Sequence, residues 1–126
     1  MKPEDLIKSG SELAHQTALF AWIAWNKSTY PELGLLFAIK NEEKSGSAIV
    51  GNRFKASGVK KGTSDLFFPV ARGGYHGLFI EMKKPGGKAS KEQLEFGAKV
   101  QAQGYGFVVC DDWTKARNTL VEYLRC

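Results

Sequence analysis

Residues 62–84 read GTSDLFFPVARGGYHGLFIEMKK, and the predicted architecture is built around this segment. It holds two apolar runs, DLFFPV and GLFIEMK, separated by ARGGYH. Gly73 and Gly74 can adopt the positive φ that a tight turn requires, so the stretch predicts a β-hairpin. Pro69 cannot donate a ladder hydrogen bond, which predicts an edge, a bulge or an early end of the first strand at that residue.

The hairpin brings two acidic residues together. Asp65 and Glu81 are equally far along the chain from Gly73, so a turn centred there places them opposite each other. Facing side chains on antiparallel strands have Cβ atoms about 4.5–5.5 Å apart, and two carboxylates so close repel unless a cation lies between them or one is protonated. Alternation puts Lys83 on the same face as Glu81, whereas Leu78, Ile80 and Met82 project to the other face.

Two carboxylates beside an ammonium group favour a divalent metal site. Mg²⁺ prefers oxygen ligands, keeps several waters and takes one or two carboxylates from a protein. A bound ion lowers the pKa of water and neutralises charge on a phosphate, and a lysine can orient that water, which is the chemistry of phosphodiester hydrolysis. The alternative is that Asp65 caps a turn and Glu81 forms an ordinary exposed ion pair with Lys83. A turn displaced by one residue would support this alternative, because Asp65 and Glu81 would then no longer face each other.

Composition limits the class of protein. The chain has 126 residues, 43% of them hydrophobic, which predicts one domain, residues 1–126, with a single core. It has no apolar run of the roughly 18 residues that a membrane span needs and no signal sequence, so we expect a cytoplasmic protein without a membrane partner. Cys110 and Cys126 form neither a disulfide framework nor a zinc spacing. The net charge of +5 favours polyanionic partners.

The other elements follow from apolar periodicity and from start and stop signals. The first eight or so residues are expected to be a loose end. Residues 11–26 predict an amphipathic helix, and 33–41 (LGLLFAIKN) predict a buried central strand, followed by a loop with a short helix near 47–56. The expected buried stripe of the first helix consists of Leu13, Thr17, Phe20, Ala21, Ala24 and Trp25.

The second half of the chain predicts a helix, a strand and a helix. The first of these runs from Ser90 to about Gln103 and is stopped by Gly104; YGFVVC is the strand, and residues 112–124 form the last helix. With the hairpin, this order predicts the α/β class, with a mixed β-sheet flanked by helices.

Two segments, GVKKGTSDL at 58–66 and GLFIEMKKPGGKASKEQ at 77–93, resemble the virus-type replication-repair nuclease domain, VRR-Nuc, of the PD-(D/E)XK nuclease superfamily. The likeness extends from ELAHQ at 12–16 through Asn41 to Gly104 and the terminal helix. One departure is Ser64, because the family usually has proline before the aspartate. This difference bears on the backbone conformation at Asp65, and hence on metal affinity or rate, more than on the class of reaction.

The resemblance implies a restriction-endonuclease-like αβββαβ core and a Mg²⁺- or Mn²⁺-dependent endonuclease. Asp65 and Glu81 would be metal ligands, and the Met82 backbone carbonyl would complete the site. Lys83 would serve the attacking water and stabilise the developing charge.

Glu12 and Gln93 also match positions at which the family carries site residues, an additional acid and a glutamine. Each has a local alternative, because Ser9 with Glu12 and Ser90 with Gln93 have the spacing of a capping box. For Gln93, the cap and a place at the rim of the site can coincide. His15 matches no catalytic spacing and is expected at the surface or its boundary.

Basic residues on both sides of the acidic centre are candidate contacts for a phosphate backbone, which they would bind without reading sequence. They are Arg53, Lys55, Lys60, Lys61, Lys84, Lys88 and Lys91. Family members that form a small separate domain are expected to be homodimers that cut branched DNA such as four-way junctions. The alternatives are a basic nucleic-acid-binding module with the same fold and no catalysis, and a nuclease that acts on RNA.

Overall fold

The computed structural model describes residues 2–39, 56–58, 60 and 62–126, and the statements below concern these residues. Their helices are α1 (Pro3–Leu6), α2 (Glu12–Asn26), a 3₁₀ helix (Pro31–Leu35), α3 (Lys91–Ala102) and α4 (Trp113–Leu124). Their strands are β1 (Phe37–Ala38), β2 (Leu66–Phe68), β3 (Leu78–Met82) and β4 (Gly106–Cys110). Among these helices, none combines the length and hydropathy of a membrane span.

The four described strands form one mixed sheet in the order β1-β2-β3-β4. β1 and β3 both run antiparallel to β2, whereas β4 is parallel to β3. The order α2, β1, β2, β3, α3, β4 is the predicted αβββαβ core, with α4 added at its end. The α/β class and the mixed sheet flanked by helices are therefore confirmed.

The β2–β3 hairpin has the predicted register. Leu66 faces Ile80 and Phe68 faces Leu78, which continues to a pairing of position 65 with 81. β2 ends immediately before Pro69, as the missing N–H requires. At the tip, positions 72 and 75 form a bridge around two glycines with positive φ, and this bridge is one residue out of step with the strands, so the extra residue lies on the proline side.

The core lies between one face of the sheet and helices α2 and α4. The even-numbered strand residues from Leu66 to Met82 supply its sheet side. Its helix side consists of Ala18, Leu19, Ile23, Trp113, Ala116, Leu120 and Tyr123. On the other face, α3 packs so closely on β4 that a Cβ on Gly97 would lie 2.4 Å from the Phe107 ring. The site described below depends on this second contact.

Helix α2 buries a different face from the predicted one. His15, Ala18, Leu19 and Ile23 are its buried residues. Leu13 and Trp25, both assigned to the buried stripe, are 63% and 72% exposed. The predicted stripe is wrong because apolar residues surround most of this helix, so periodicity alone does not select the face that meets the sheet.

The strand predicted at 33–41 is also wrong in its position and length. Residues 31–35 form a 3₁₀ helix that Pro31 begins, and the strand that follows covers two exposed residues at the edge of the sheet. The apolar run instead supplies Leu33 and Leu36 to the core. Asn41 and the predicted short helix, apart from its last residue Ala56, lie outside the described residues.

Both C-terminal helices begin and end where local signals predict. Ser90 is the N-cap of α3, and Gly104, with a φ of +91°, follows its end. Asp112 is the N-cap of α4 and accepts a hydrogen bond from the Thr114 N–H. The N-terminal residues expected to be loose include α1, which packs on α2.

Candidate metal centre

Three carboxylates converge where β2 begins and β3 ends. Glu12, Asp65 and Glu81 each present an oxygen within 4.8 Å of the other two. Glu12 is the first residue of α2, Asp65 directly precedes β2, and Glu81 is the penultimate residue of β3. Hard oxygen ligands from three separate elements at such separations suit a divalent cation such as Mg²⁺ or Mn²⁺.

Asp65 is held by the neighbouring strand. Its Oδ2 accepts a hydrogen bond from the Met82 backbone N–H at 2.8 Å. Met82, whose carbonyl is a predicted metal ligand, thus links Asp65 to the end of β3, directly after Glu81. The alternative in which Asp65 caps a turn does not describe this contact, since the carboxylate bonds to a residue on the opposite strand.

Glu81 is fully buried and has two differently placed oxygens. Its Oε1 accepts a hydrogen bond from Gln93 Nε2 at 2.8 Å and lies 3.4 Å from Lys83 Nζ. Its Oε2 is buried without any hydrogen-bond partner in the part of the chain that the structure describes. A buried carboxylate oxygen rarely lacks a donor in a protein, and a cation held beside Asp65 would compensate it. The residues present therefore fit a divalent metal ion.

The raised pKa of Glu81 also indicates that this site needs a cation to hold an ionised carboxylate. Burial raises the pKa of Glu81 from its ordinary 4.5 to about 9; Asp65 adds to this, because its carboxylate repels the ionised form of Glu81 and can accept a hydrogen bond from the protonated form, and Lys83 only partly opposes the rise. Without a cation, the Glu81 carboxyl therefore holds a proton at neutral pH. The contact of Glu81 with Lys83 is not the exposed surface pair of the alternative reading, because the Glu81 side chain is fully buried and that of Lys83 is only 17% exposed.

Gln93 performs the two roles that the sequence left open. The capping box is confirmed, since Ser90 Oγ accepts from the Gln93 N–H at 3.2 Å and Gln93 Oε1 accepts from the Ser90 N–H at 2.7 Å. The other end of the same amide bonds to Glu81. The first turn of α3 therefore carries one of the contacts that position the acidic cluster.

The capping box that was the alternative reading of Ser9 with Glu12 does not form. The N-cap of α2 is Ser11, whose Oγ accepts from the Ala14 N–H at 3.0 Å. Gly10 has a φ of +68° and turns the chain between Ser9 and the helix, so Ser9 cannot occupy the cap. Glu12 lies in the acidic cluster.

The predicted phosphate contacts are only partly described. Lys60, Lys84, Lys88 and Lys91 are all exposed, in the segments before Asp65 and after Lys83, whereas Arg53, Lys55 and Lys61 lie outside the described residues. The loop carrying Lys84 and Lys88 is tied to the end of β4, because Asp111 Oδ2 accepts a hydrogen bond from the Gly86 N–H at 3.2 Å.

His15 is a residue whose place the sequence reasoning missed. It is 2% exposed, not at the surface or its boundary, and its Nδ1 accepts a hydrogen bond from the Trp113 N–H at 3.1 Å. This bond joins α2 to the first residue of α4, one helical turn from Glu12. Its spacing from Ala18 and Leu19 was the signal that could have placed it on the buried face.

The sequence model of the VRR-NUC domain matches residues 11–113, a segment that contains every member of the acidic cluster together with Lys83 and Gln93. The chain belongs to the VRR-NUC domain family. A solved structure described as a VRR_NUC domain protein is 28% identical, with a TM-score of 0.76 over 91% of this chain and 88% of that chain. The comparison with curated proteins found no match. The VRR-NUC domain is a nuclease-type domain, and membership implies DNA as its substrate.

Proposed function

We propose that this VRR-NUC domain is a Mg²⁺- or Mn²⁺-dependent endonuclease that hydrolyses phosphodiester bonds in DNA. The observation that carries the proposal is the buried Glu81 Oε2, which has no partner among the described residues and belongs to a cluster with Asp65 and Glu12. A cation at this cluster would remove both the repulsion between the carboxylates and the penalty of the unpaired oxygen.

Each residue of the site has a role in this proposal. Asp65 and Glu81 would hold the ion, with the Met82 backbone carbonyl and Glu12 as further ligands. The ion, when bound, lowers the pKa of water and neutralises charge on the phosphate. Lys83 orients the attacking water and stabilises the negative charge that develops on the phosphate oxygens.

The proposed substrate is branched DNA, such as a four-way junction. The exposed lysines on both sides of the acidic cluster support binding to phosphates, which is salt-sensitive and independent of base sequence. The proposed assembly is a homodimer, because a two-fold arrangement presents two cutting centres to two strands.

A cleavage assay tests the proposal directly. Labelled flaps, nicked duplexes and four-way junctions are incubated with the protein and Mg²⁺ or Mn²⁺, and with EDTA as the metal-free condition. Replacing a partner of a ligand costs about 10–100-fold in metal sites, so Asp65→Asn, which alters a ligand, should reduce cleavage at least about 100-fold. Asp5→Asn, at an exposed acid on α1, is the matched control and should cut normally.

The result also decides between the candidate functions. A non-catalytic nucleic-acid-binding module, which the net charge of +5 favours, would bind these DNAs and cut none of them with either metal. Equal cleavage by Asp65→Asn and unsubstituted protein would likewise exclude the proposed centre. Matched RNA substrates in the same assay show whether the activity is confined to DNA.

A further inference from the structure

We infer that Ser90, a residue outside the acidic cluster, sets the position of Glu81 through Gln93 and thereby governs how tightly the site binds a divalent cation. Ser90 is thus a positioning residue. This inference rests on the proposed function, because it concerns the same metal site.

The inference begins with the two ends of the Gln93 amide. Gln93 Oε1 accepts from the Ser90 N–H, and Gln93 Nε2 donates to Glu81 Oε1. A backbone N–H only donates and a carboxylate oxygen accepts, so a reversed amide would place donor against donor at Ser90 and acceptor against acceptor at Glu81. The Ser90 N–H therefore fixes which end of the amide faces the carboxylate.

Burial makes this orientation matter. Gln93 is 4% exposed, so water is poorly placed to replace either bond if the amide moves. Glu81 Oε1 is engaged by Gln93 and Lys83, which leaves Oε2 as the oxygen available to a cation. Partners that hold a ligating carboxylate in this way tune the affinity of a metal site.

The first turn of α3 also supports the segment that carries Asp65. Gly62 is buried with a φ of +84°, and a Cβ at this position would lie 2.7 Å from Glu92 Cβ and 3.0 Å from the Glu92 carbonyl carbon. The chain that leads to Asp65 therefore packs directly on the turn that holds Gln93. The first turn of α3 therefore contacts both the segment before β2 and, through Gln93, Glu81 of β3.

Two substitutions at one position isolate the Ser90 N–H. Ser90 has a φ of −72°, which proline adopts without strain. In Ser90→Pro, the ring Cδ takes the place of the amide hydrogen that Gln93 Oε1 contacts, so the Gln93 amide must leave its position. Ser90→Ala is the matched control, because both variants lose the Oγ that accepts from the Gln93 N–H and only the proline variant loses the N–H donor.

The readout is Mn²⁺ binding to the full chain, measured by calorimetry, with circular dichroism to establish that each variant is folded. Ser90→Pro should bind Mn²⁺ roughly tenfold or more weakly than Ser90→Ala. In a Gln93→Met background, where the amide is absent, the proline and alanine variants should bind equally. Equal binding by the two single variants would overturn the inference and leave the proposed function intact, whereas unsubstituted protein that binds no Mn²⁺ would overturn both.

A second measurement does not depend on the proline variant being folded. Addition of Mg²⁺ to unsubstituted protein should shift the NMR signal of the Ser90 amide, because the Gln93 side chain couples that amide to Glu81. The shift should vanish in Gln93→Met. A Ser90 signal that does not respond to Mg²⁺, or that responds equally in both proteins, would contradict the coupling.

Discussion

Ser64 Oγ and Glu81 Oε2 are buried polar atoms that have no hydrogen-bond partner among the described residues. The two have different consequences. An unpaired hydroxyl destabilises a protein by about 1–3 kcal/mol, and nothing about it requires a ligand. A carboxylate must bind a cation, a donor or a proton, and because burial and Asp65 raise the pKa of Glu81 to about 9, we expect Glu81 to hold a proton when no cation is bound.

Ser64→Ala should therefore stabilise the protein. The hydroxyl is hydrated in the unfolded chain and has no partner in the folded one, so its removal should raise the free energy of unfolding by about 1 kcal/mol. Urea denaturation measures the change, with the exposed Ser28→Ala as the control. A clear loss of stability would mean that the hydroxyl has a stabilising partner.

Glu81→Gln should separate folding from metal binding. At pH 7 the Glu81 carboxyl is neutral because its pKa is about 9, and glutamine is a neutral side chain of similar shape that can still accept from Gln93. We expect the free energy of unfolding in EDTA to change by less than about 1.5 kcal/mol, as for volume-conserving replacements, while Mn²⁺ binding is lost. Glu122→Gln, at an exposed acid on α4, should change neither quantity; an unfolded Glu81→Gln protein would contradict the proposed protonation.

At the scale of elements, α3 is the part of the fold on which the site most depends. Its first turn holds Gln93 and packs on Gly62, and its middle lies against β4 through Gly97 and Phe107. Gly97 lacks a side chain at a point where the helix and the sheet lie close together. The distance of α3 from the sheet, and so the reach of Gln93 to Glu81, depends on this glycine.

Gly97→Ala should destabilise the protein, although alanine is the better helix former by about 1 kcal/mol. The new Cβ would lie 2.4 Å from the Phe107 ring, so the helix or the ring must move. Overpacking of this kind costs about 1–3 kcal/mol, which exceeds the gain in helix propensity. Urea denaturation measures the loss, and Gln101→Ala, an exposed position on the same helix, should show none. A more stable Gly97→Ala protein would mean that α3 shifts freely on the sheet.

For the protein as a whole, the acidic cluster makes the free energy of unfolding depend on pH and on metal binding. Burial raises the pKa of Glu81 from 4.5 to about 9 on folding. Between these values the folded protein holds a proton that the unfolded chain has released. The stability of the metal-free protein is therefore highest below about pH 4.5, as far as Glu81 is concerned, and falls as pH rises toward 9. A bound cation displaces the proton and removes this dependence.

Metal binding should consequently strengthen with pH. One proton is released per site, so the apparent affinity for Mn²⁺ should rise by up to about tenfold per pH unit between pH 6 and 8. Calorimetry at pH 6, 7 and 8 measures the affinity, and urea denaturation in EDTA should show the opposite trend in stability. In Glu81→Gln, the part of the fall in stability with pH that Glu81 causes should be absent. A Mn²⁺ affinity that does not change with pH would show that Glu81 is already ionised in the metal-free protein.

The sequence predicts those parts of the molecule whose signals are local. The glycines of the turn and the alternation of the strands place Asp65 against Glu81, and capping residues delimit α3 and α4. The buried face of α2 could not be read, because several of its faces are apolar. The contact of His15 with Trp113 joins residues at opposite ends of the chain, so no local pattern contains it. Glu12 and Gln93 likewise came from the family resemblance, and their parts in metal binding and catalysis stay predictions.

The hydrogen bond between Asp65 Oδ2 and the Met82 N–H joins the two strands through a side chain instead of a backbone carbonyl. It lies one residue before β2 begins. The exchange of this amide with solvent deuterium depends on how firmly Asp65 is held and not on backbone pairing alone. Occupancy of the acidic cluster can therefore be followed at a single backbone position, without a substrate or a change of sequence.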